Sequence, residues 1–240
     1  MPEWNAEILF VRDYVHEGKT HDRIVRLKTP EGFSFLPGQF VMIGHDSVKL
    51  LNNPQALKWG SMSIASAPED KGFVELVIAV GEPTGITHHV AYNLKVGDFL
   101  KVKGPFGKFV FSENAAEYGF VATGTGIAPL RSMMRHLFAI GTPKPVKFFF
   151  GFQCMSKCLY KEELEEYKAK PNFEMQVITS REKTPDGKQG YVTDLLRAYN
   201  FKGHEGMQFF LCGNPRAICD VQVALREKGF AENAIHYEKW

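Results

Sequence analysis

The sequence predicts a two-domain chain, an antiparallel β-barrel or sandwich followed by a parallel α/β domain. Three observations predict it. Six short β-branched or aromatic runs fill residues 7–104, separated by turn residues and interrupted by one helical pattern. From Tyr118 onward apolar runs alternate with helical patterns, as in a parallel sheet covered on both faces. The character changes near residues 111–117, with no internal repeat or low-complexity tract on either side. The boundary is expected at about residue 113, giving domains of residues 1–112 and 113–240.

The strands of the first half are expected at residues 7–15, 22–28, 39–44, 61–66, 73–80 and 99–104. Pro30-Glu-Gly32, Pro37-Gly38, Asp46-Ser47, Pro68-Glu-Asp70 and Gly97-Asp98 punctuate them. Proline presets φ, glycine accepts positive φ and aspartate bonds its own backbone, so these are turns. Residues 87–94 read as the helical interruption. The stretch between Phe40 and Ser63 contains Lys49-Leu-Leu-Asn-Asn-Pro-Gln55, read as a surface insertion without a role. In the second half, strands at 119–122, 146–150, 175–179 and 207–211 each precede a helix, at 129–140, 161–168, 193–198 and 215–228.

A chain of 240 residues, 44% hydrophobic and 23% charged, buries sizeable cores without disulfide staples. Its formal net charge of +2 is too small to imply nucleic acid. No apolar run approaches the ~20 residues of a membrane span, and residues 1–10 lack a signal-peptide core. A cytoplasmic location is expected. The 4 cysteines, Cys154, Cys158, Cys212 and Cys219, lack the paired spacing of zinc or iron–sulfur ligands. They read as free thiols in a reducing compartment, with no metal site.

Phe120-Val-Ala-Thr-Gly-Thr-Gly-Ile-Ala-Pro-Leu-Arg131 runs from an apolar strand through glycines into a helix start. A helix N-terminus offers unpaired N–H groups and the positive end of its dipole, which suit a pyrophosphate. Gly124 and Gly126 let the backbone approach that anion, and Pro129 fits the first helical turn, where its missing N–H is not needed. A tight strand–helix turn can need such glycines for steric reasons alone; the βαβ context favours the dinucleotide. Leu211-Cys-Gly-Asn-Pro215 also ends a strand and opens a helix. Ligands gather at the carboxyl ends of strands in open parallel sheets, which places Cys212 beside a bound nicotinamide. A small buried side chain is the competing reading of Cys212.

Pro37-Gly-Gln-Phe40, Ser63-Ile-Ala-Ser66, Gly104-Pro-Phe-Gly107, Gly124-Thr-Gly-Ile-Ala-Pro129, Gly190-Tyr-Val-Thr-Asp194, Cys212-Gly-Asn-Pro215 and a last residue Trp240 follow one another in that order. In order and spacing the chain resembles the ferredoxin–NADP reductase family over nearly its whole length. The resemblance implies a six-stranded antiparallel barrel that holds a flavin, FAD with FMN as the alternative, and a parallel α/β domain that holds NAD(P)H. It implies hydride transfer from nicotinamide to flavin, then release of single electrons to a separate protein such as ferredoxin, flavodoxin or an oxygenase component.

Carried over by position, Ser63 lies beside the reacting flavin nitrogen, with Ser61, Met62 and Ile64 along the same flavin motif. Gly85, Ile86 and Thr87 fill the second flavin motif at a helix start, with Thr87 as N-cap; a capped surface helix is the competing reading. His88 and His89 read as helix residues. Thr123, Gly124, Thr125, Gly126, Ile127 and Pro129 bind the nicotinamide dinucleotide, together with Cys212, Gly213, Asn214 and Pro215. Cys212 packs near the reacting nicotinamide carbon, Glu238 accompanies it, and Trp240 stacks on the flavin until the nicotinamide displaces it.

Two regions qualify the resemblance. The family's Arg-x-Tyr-Ser reads here Gly60-Ser61-Met62-Ser63. The missing arginine removes a charge-assisted bond to the flavin phosphate of ~1.5–3 kcal/mol, while methionine keeps a sulfur–aromatic contact. Lys58 and Trp59 stand just upstream as replacements. A nucleotide-binding accessory subunit with impaired or lost flavin binding is therefore the alternative function. Ser180 and Arg181, with Lys183, Lys188 and Tyr191, match the 2′-phosphate site of the NADPH-using branch, so NADPH is favoured over NADH, although Glu182 and Asp186 interleave.

Overall fold

The computed structural model describes residues 2–239, whose contacts group them into two compact units. Of the described residues, one unit contains 2–111 and 131–139, the other 112–130 and 140–239.

The first unit holds strands β1 (Glu3–His16), β2 (Lys19–Lys28), β3 (Phe40–Gly44), β4 (Lys49–Leu50), β5 (Asn53–Leu57), β6 (Gly60–Ser63), β7 (Phe73–Ala79) and β8 (Phe99–Phe106). Six of them form one antiparallel sheet in the order β6-β3-β8-β1-β2-β7. Ile64 bridges antiparallel to Leu76 of β7, so the two edges meet and the barrel nearly closes. Inward residues come from alternate positions, as the pleat requires: Val41 and Ile43, Leu76 and Ile78, Leu100 and Val102. Helix α1 (Ile86–Asn93) packs Ile86, Val90 and the following Leu94 onto the same core. The guanidinium of Arg23 donates to the carbonyls of Val90 and Leu94 at 2.8 and 2.7 Å, satisfying the end of α1 with a cation.

Some expected boundaries move. β1 starts at Glu3 because its first residues pair with β8, from Glu3 opposite Lys103 to Glu7 opposite Phe99. β6 stops at Ser63, because the next two N–H groups leave for Gln39 and Glu75 carbonyls. The insertion forms the β4–β5 hairpin, with Leu51 87% exposed near its turn.

The second unit is a five-stranded parallel sheet of β9 (Glu117–Thr123), β10 (Val146–Phe152), β11 (Phe173–Thr179), β12 (Met207–Gly213) and β13 (Ile235–Lys239). Its order is β11-β10-β9-β12-β13. Helices α2 (Ile127–Ala139), α3 (Lys161–Tyr167), α4 (Val192–Ala198) and α5 (Pro215–Glu227) follow the first four strands in turn. β10 is buried along its whole length, as a central strand covered on both faces must be. β13 was not foreseen. From β9 the chain builds outward to β10 and β11, then jumps to the other side for β12 and β13, so the switch point lies between β9 and β12. Among the described residues, no helix is long and apolar enough to cross a membrane.

Candidate functional site

The switch point lies at the carboxyl ends of β9 and β12, where open parallel sheets gather their ligands. Gly124 has φ +53°, and a Cβ placed on it would meet nothing within 4 Å, so that side of the loop is open to a ligand. Gly126 has a different task. Its Cβ would lie 2.2 Å from the Cys212 carbonyl oxygen, so the absent side chain lets the two loops pass, instead of admitting an anion as expected. Thr123 Oγ1 accepts from the Asn214 N–H at 2.9 Å and ties the loops together. A 3₁₀ turn, Gly124–Gly126, leads straight into α2, two residues earlier than Pro129 suggested. Ile127 and Pro129 are buried, which leaves Thr123, Gly124 and Thr125 as the accessible part of the motif. Asn214 caps α5 through its Oδ1, which accepts from Arg216 and Ala217 N–H groups at 3.0 and 3.4 Å, and Pro215 follows it in the first turn.

Cys212 and Glu238 face each other as register partners on β12 and β13. Cys212 is fully buried, and Glu238 Oε2 is closed off from solvent without a hydrogen-bond partner. Burial pushes the Glu238 carboxyl from 4.5 up to about 7. A raised carboxyl pKa favours the protonated form in the folded chain. Its stabilising contribution is therefore present below the unfolded pKa and is lost as pH rises through about 7. Glu238→Gln should flatten this fall in unfolding free energy, by on the order of 1 kcal/mol once solvent screening of a half-buried group is allowed for. Urea melts at a series of pH values measure it.

In the barrel, Ser63 is 6% exposed and its Oγ has no hydrogen-bond partner. Ser61 is half-buried opposite Met42, and Met62 packs against the barrel core. Ile64 does not face a cofactor surface: its side chain is fully buried in that core and its N–H donates to Gln39. Gly85 is the N-cap of α1 and supplies no side-chain cap, so the first turn keeps open N–H donors. Thr87 is not the cap, because it lies inside the first turn and its Oγ1 accepts from Gly81 N–H at 3.2 Å. A Cβ on Gly60 would lie 2.7 Å from Ile86 Cγ2, a methyl on a side chain only 4% exposed. The space through which an arginine would leave this strand is filled. Gly60→Arg should therefore destabilise the barrel by ~1–3 kcal/mol rather than restore a phosphate contact, read as a lower melting temperature without a tighter flavin Kd.

Arg131, the last residue of the glycine-rich segment, turns its guanidinium to the Ala65 carbonyl at 2.7 Å and the Glu75 carboxylate at 2.9 Å. It takes no part in an anion loop. Following β11, Arg181 is exposed and Ser180 half-buried. Lys188 pairs with Asp186 at 3.0 Å, and Tyr191, 69% exposed, precedes α4 with its N–H donating to Asp194 at 2.8 Å. Trp240 lies outside the described residues.

Residues 17–111 match the model of an oxidoreductase FAD-binding domain, and residues 120–222 match that of an oxidoreductase NAD-binding domain. The chain belongs to the ferredoxin–NADP reductase family. As a family member it is an FAD- and NAD-binding oxidoreductase. It is 30% identical over 189 residues to the F subunit of a Na(+)-translocating NADH-quinone reductase in a Marinomonas species, covering 72% of this chain and 46% of that relative. The chain thus spans about half the length of the curated relatives it matches. Its fold is that of a ferredoxin NADP+ reductase from Neisseria gonorrhoeae with bound FAD and NADP, with TM-score 0.83 and 19% identity over 99% of this chain and 98% of that one. The flavohem-like FAD/NAD-binding domain of nitric oxide dioxygenase from Vibrio cholerae gives TM-score 0.84 and 19% identity, with 98% of both chains covered.

The residues of this family member fit both cofactors. Ser63 Oγ and Glu238 Oε2 are buried polar atoms without partners, which costs ~1–3 kcal/mol each unless a ligand answers them. The open side of Gly124 leaves room for a phosphate against the loop, and no side chain caps the first-turn N–H groups of α1. A third orphan, His89 Nε2, was not anticipated. Adjacency to His88 marked it only as a helix residue, and no spacing rule in the sequence links it to His45.

Proposed function

We propose that this chain takes a hydride from NAD(P)H, held by residues 113–240, to FAD held by residues 1–112, and delivers electrons singly to a separate acceptor protein. Cytoplasmic ferredoxin, flavodoxin or an oxygenase component are the acceptors that suit it. The observation that carries this reading is the pairing of Cys212 with Glu238, whose buried Oε2 lacks a partner, at the switch point beside the open face of Gly124. The flavin, when bound, converts a two-electron donor into a one-electron donor.

The rest is done by the chain. Gly124 and Thr125 present the loop backbone to the dinucleotide pyrophosphate, while Thr123 fixes the loop through Asn214. Cys212 gives the nicotinamide a small, soft wall, and Glu238 holds a proton near neutrality. Ser63 offers its unpartnered hydroxyl to the flavin, with Ser61 and Met62 along the ring, while Gly85 leaves the start of α1 without a side chain and Ile86 and Thr87 supply its first-turn N–H groups. Trp240 covers the flavin face until the nicotinamide arrives. Purified protein should be yellow, with flavin absorbance bands, and should oxidise NADPH with ferricyanide when given FAD. A colourless protein that takes up neither FAD nor FMN sinks the reading.

A second reading is favoured by Ile86 filling the space at Gly60: an accessory subunit that binds nucleotide without flavin chemistry. FAD-dependent oxidation of NAD(P)H refutes it. For the nucleotide, exposed Arg181 supports NADPH, because its planar fork matches a 2′-phosphate. NADH is supported by the engagement of Lys188 with Asp186 and by the NADH named in the relatives. Arg181→Ala should raise KM for NADPH by roughly 10-fold or more and leave NADH unchanged. Equal loss for both, or none, removes Arg181 from the phosphate.

A further inference from the structure

The barrel places a second, unassigned group of donors next to the position where the arginine is missing. Gly60 pairs with Ile43 of β3, and His45 lies just past the end of that strand. Ile86, which fills the space at Gly60, begins α1, and His89 stands one turn later on the same face. Side chains of a helix lean back toward its N-terminus, which directs the His89 ring toward the uncapped first turn. The two imidazoles meet with ring centroids 4.5 Å apart. His45 Nδ1 accepts the Ser47 N–H at 3.1 Å, which leaves its proton on Nε2 as a donor. His89 Nε2 is shut away from solvent and has no partner. Two imidazoles in ring contact, one with a buried unanswered nitrogen, are a poor arrangement unless an acceptor joins them.

The other cation sources nearby are less suited. Lys103 sits over the Trp59 ring at 4.1 Å and pairs with Glu3 at 3.2 Å, while Lys49 and Lys101 are taken by Asp46 at 3.7 and 2.8 Å. Trp59 itself packs against Gly44, where a Cβ would lie 3.1 Å from its ring. Lys58, half-buried, is the remaining candidate.

We propose that His45 and His89 replace the absent arginine, donating N–H bonds to a phosphate of the flavin at the start of α1. The inference rests on the flavin reading above. It is tested by titrating the flavin-free 240-residue chain with FAD, FMN and riboflavin and following flavin fluorescence. In His45→Ala and in His45→Ala/His89→Phe, Kd for FAD and FMN should rise at least about tenfold, while riboflavin, which has no phosphate, binds as before. His89→Gln, which keeps an N–H donor, should recover part of the loss. Equal weakening of all three ligands makes the pair structural and overturns the proposal, as do unchanged affinities. Loss of FAD and FMN binding in Lys58→Ala, with the histidine variants unaffected, assigns the phosphate to the lysine instead. Wild-type protein that binds none of the three refutes the flavin reading and takes this inference with it.

Discussion

Gly126→Ala is expected to cost the folded chain at least about 3 kcal/mol, lowering Tm by about 6–12 °C for a protein of this size. The methyl would lie 2.2 Å from the Cys212 carbonyl oxygen and 2.6 Å from Gly213 Cα, and both are backbone atoms that no rotamer change can move. The loops leaving β9 and β12 would have to separate. The bond from Asn214 to Thr123 would be lost with them. Gly124→Ala, two residues away, should behave differently. Its methyl meets no atom, so the cost is the left-handed backbone at φ +53°, about 1–2 kcal/mol. Its larger effect is on the ligand, because the methyl projects from the open side of the loop. Thermal melts and nucleotide titrations of both variants separate the roles. A Gly126→Ala protein as stable as wild type contradicts the close passage of the loops.

Cys212→Ala is expected to slow reduction of bound flavin by NAD(P)H about 10- to 100-fold, while the Kd for FAD stays within about twofold. The side chain is fully buried between β9 and β13, so the loss of one sulfur leaves a small cavity without disturbing either ladder. Stopped-flow absorbance gives the reduction rate and a flavin titration gives the affinity. If rate and affinity fall together, Cys212 is a packing residue and the switch point must present the nicotinamide to another group.

The barrel was legible because its signals are local. Alternating apolar residues such as Leu100 and Val102, bounded by Gly97-Asp98, specify a strand without reference to its neighbours. The same holds for the α/β half, where apolar runs such as Val146–Phe152 stand out between polar segments. Edges were harder. β13, with Ile-His-Tyr-Glu-Lys, is short, polar and half exposed, and only its pairing with β12 makes it a strand. Pro129 marked the start of α2 too late, since proline is tolerated throughout a first turn and the glycines had already begun a 3₁₀ turn. For the candidate site, motif position singles out residues such as Ser63, Cys212 and Glu238. What spacing could not show was that Gly126 serves packing and that Ile86 fills the place of the missing arginine. His45 and His89 are 44 residues apart and meet only when α1 folds onto the end of β3.

The placement of Glu238 has a dynamic consequence. β13 is an edge strand held by one ladder, so it can peel from β12 while the other four strands stay paired. The carboxyl is shielded only while that ladder is closed, and peeling returns it to water, where it ionises near its ordinary value. Opening of this strand is therefore expected to release a proton near neutral pH. Above neutrality the open form gains population, and amide exchange at Tyr237 and Glu238 should quicken with pH beyond its intrinsic base catalysis. The carboxyl that burial keeps protonated thus sits on one of the two edge strands of the five-stranded sheet.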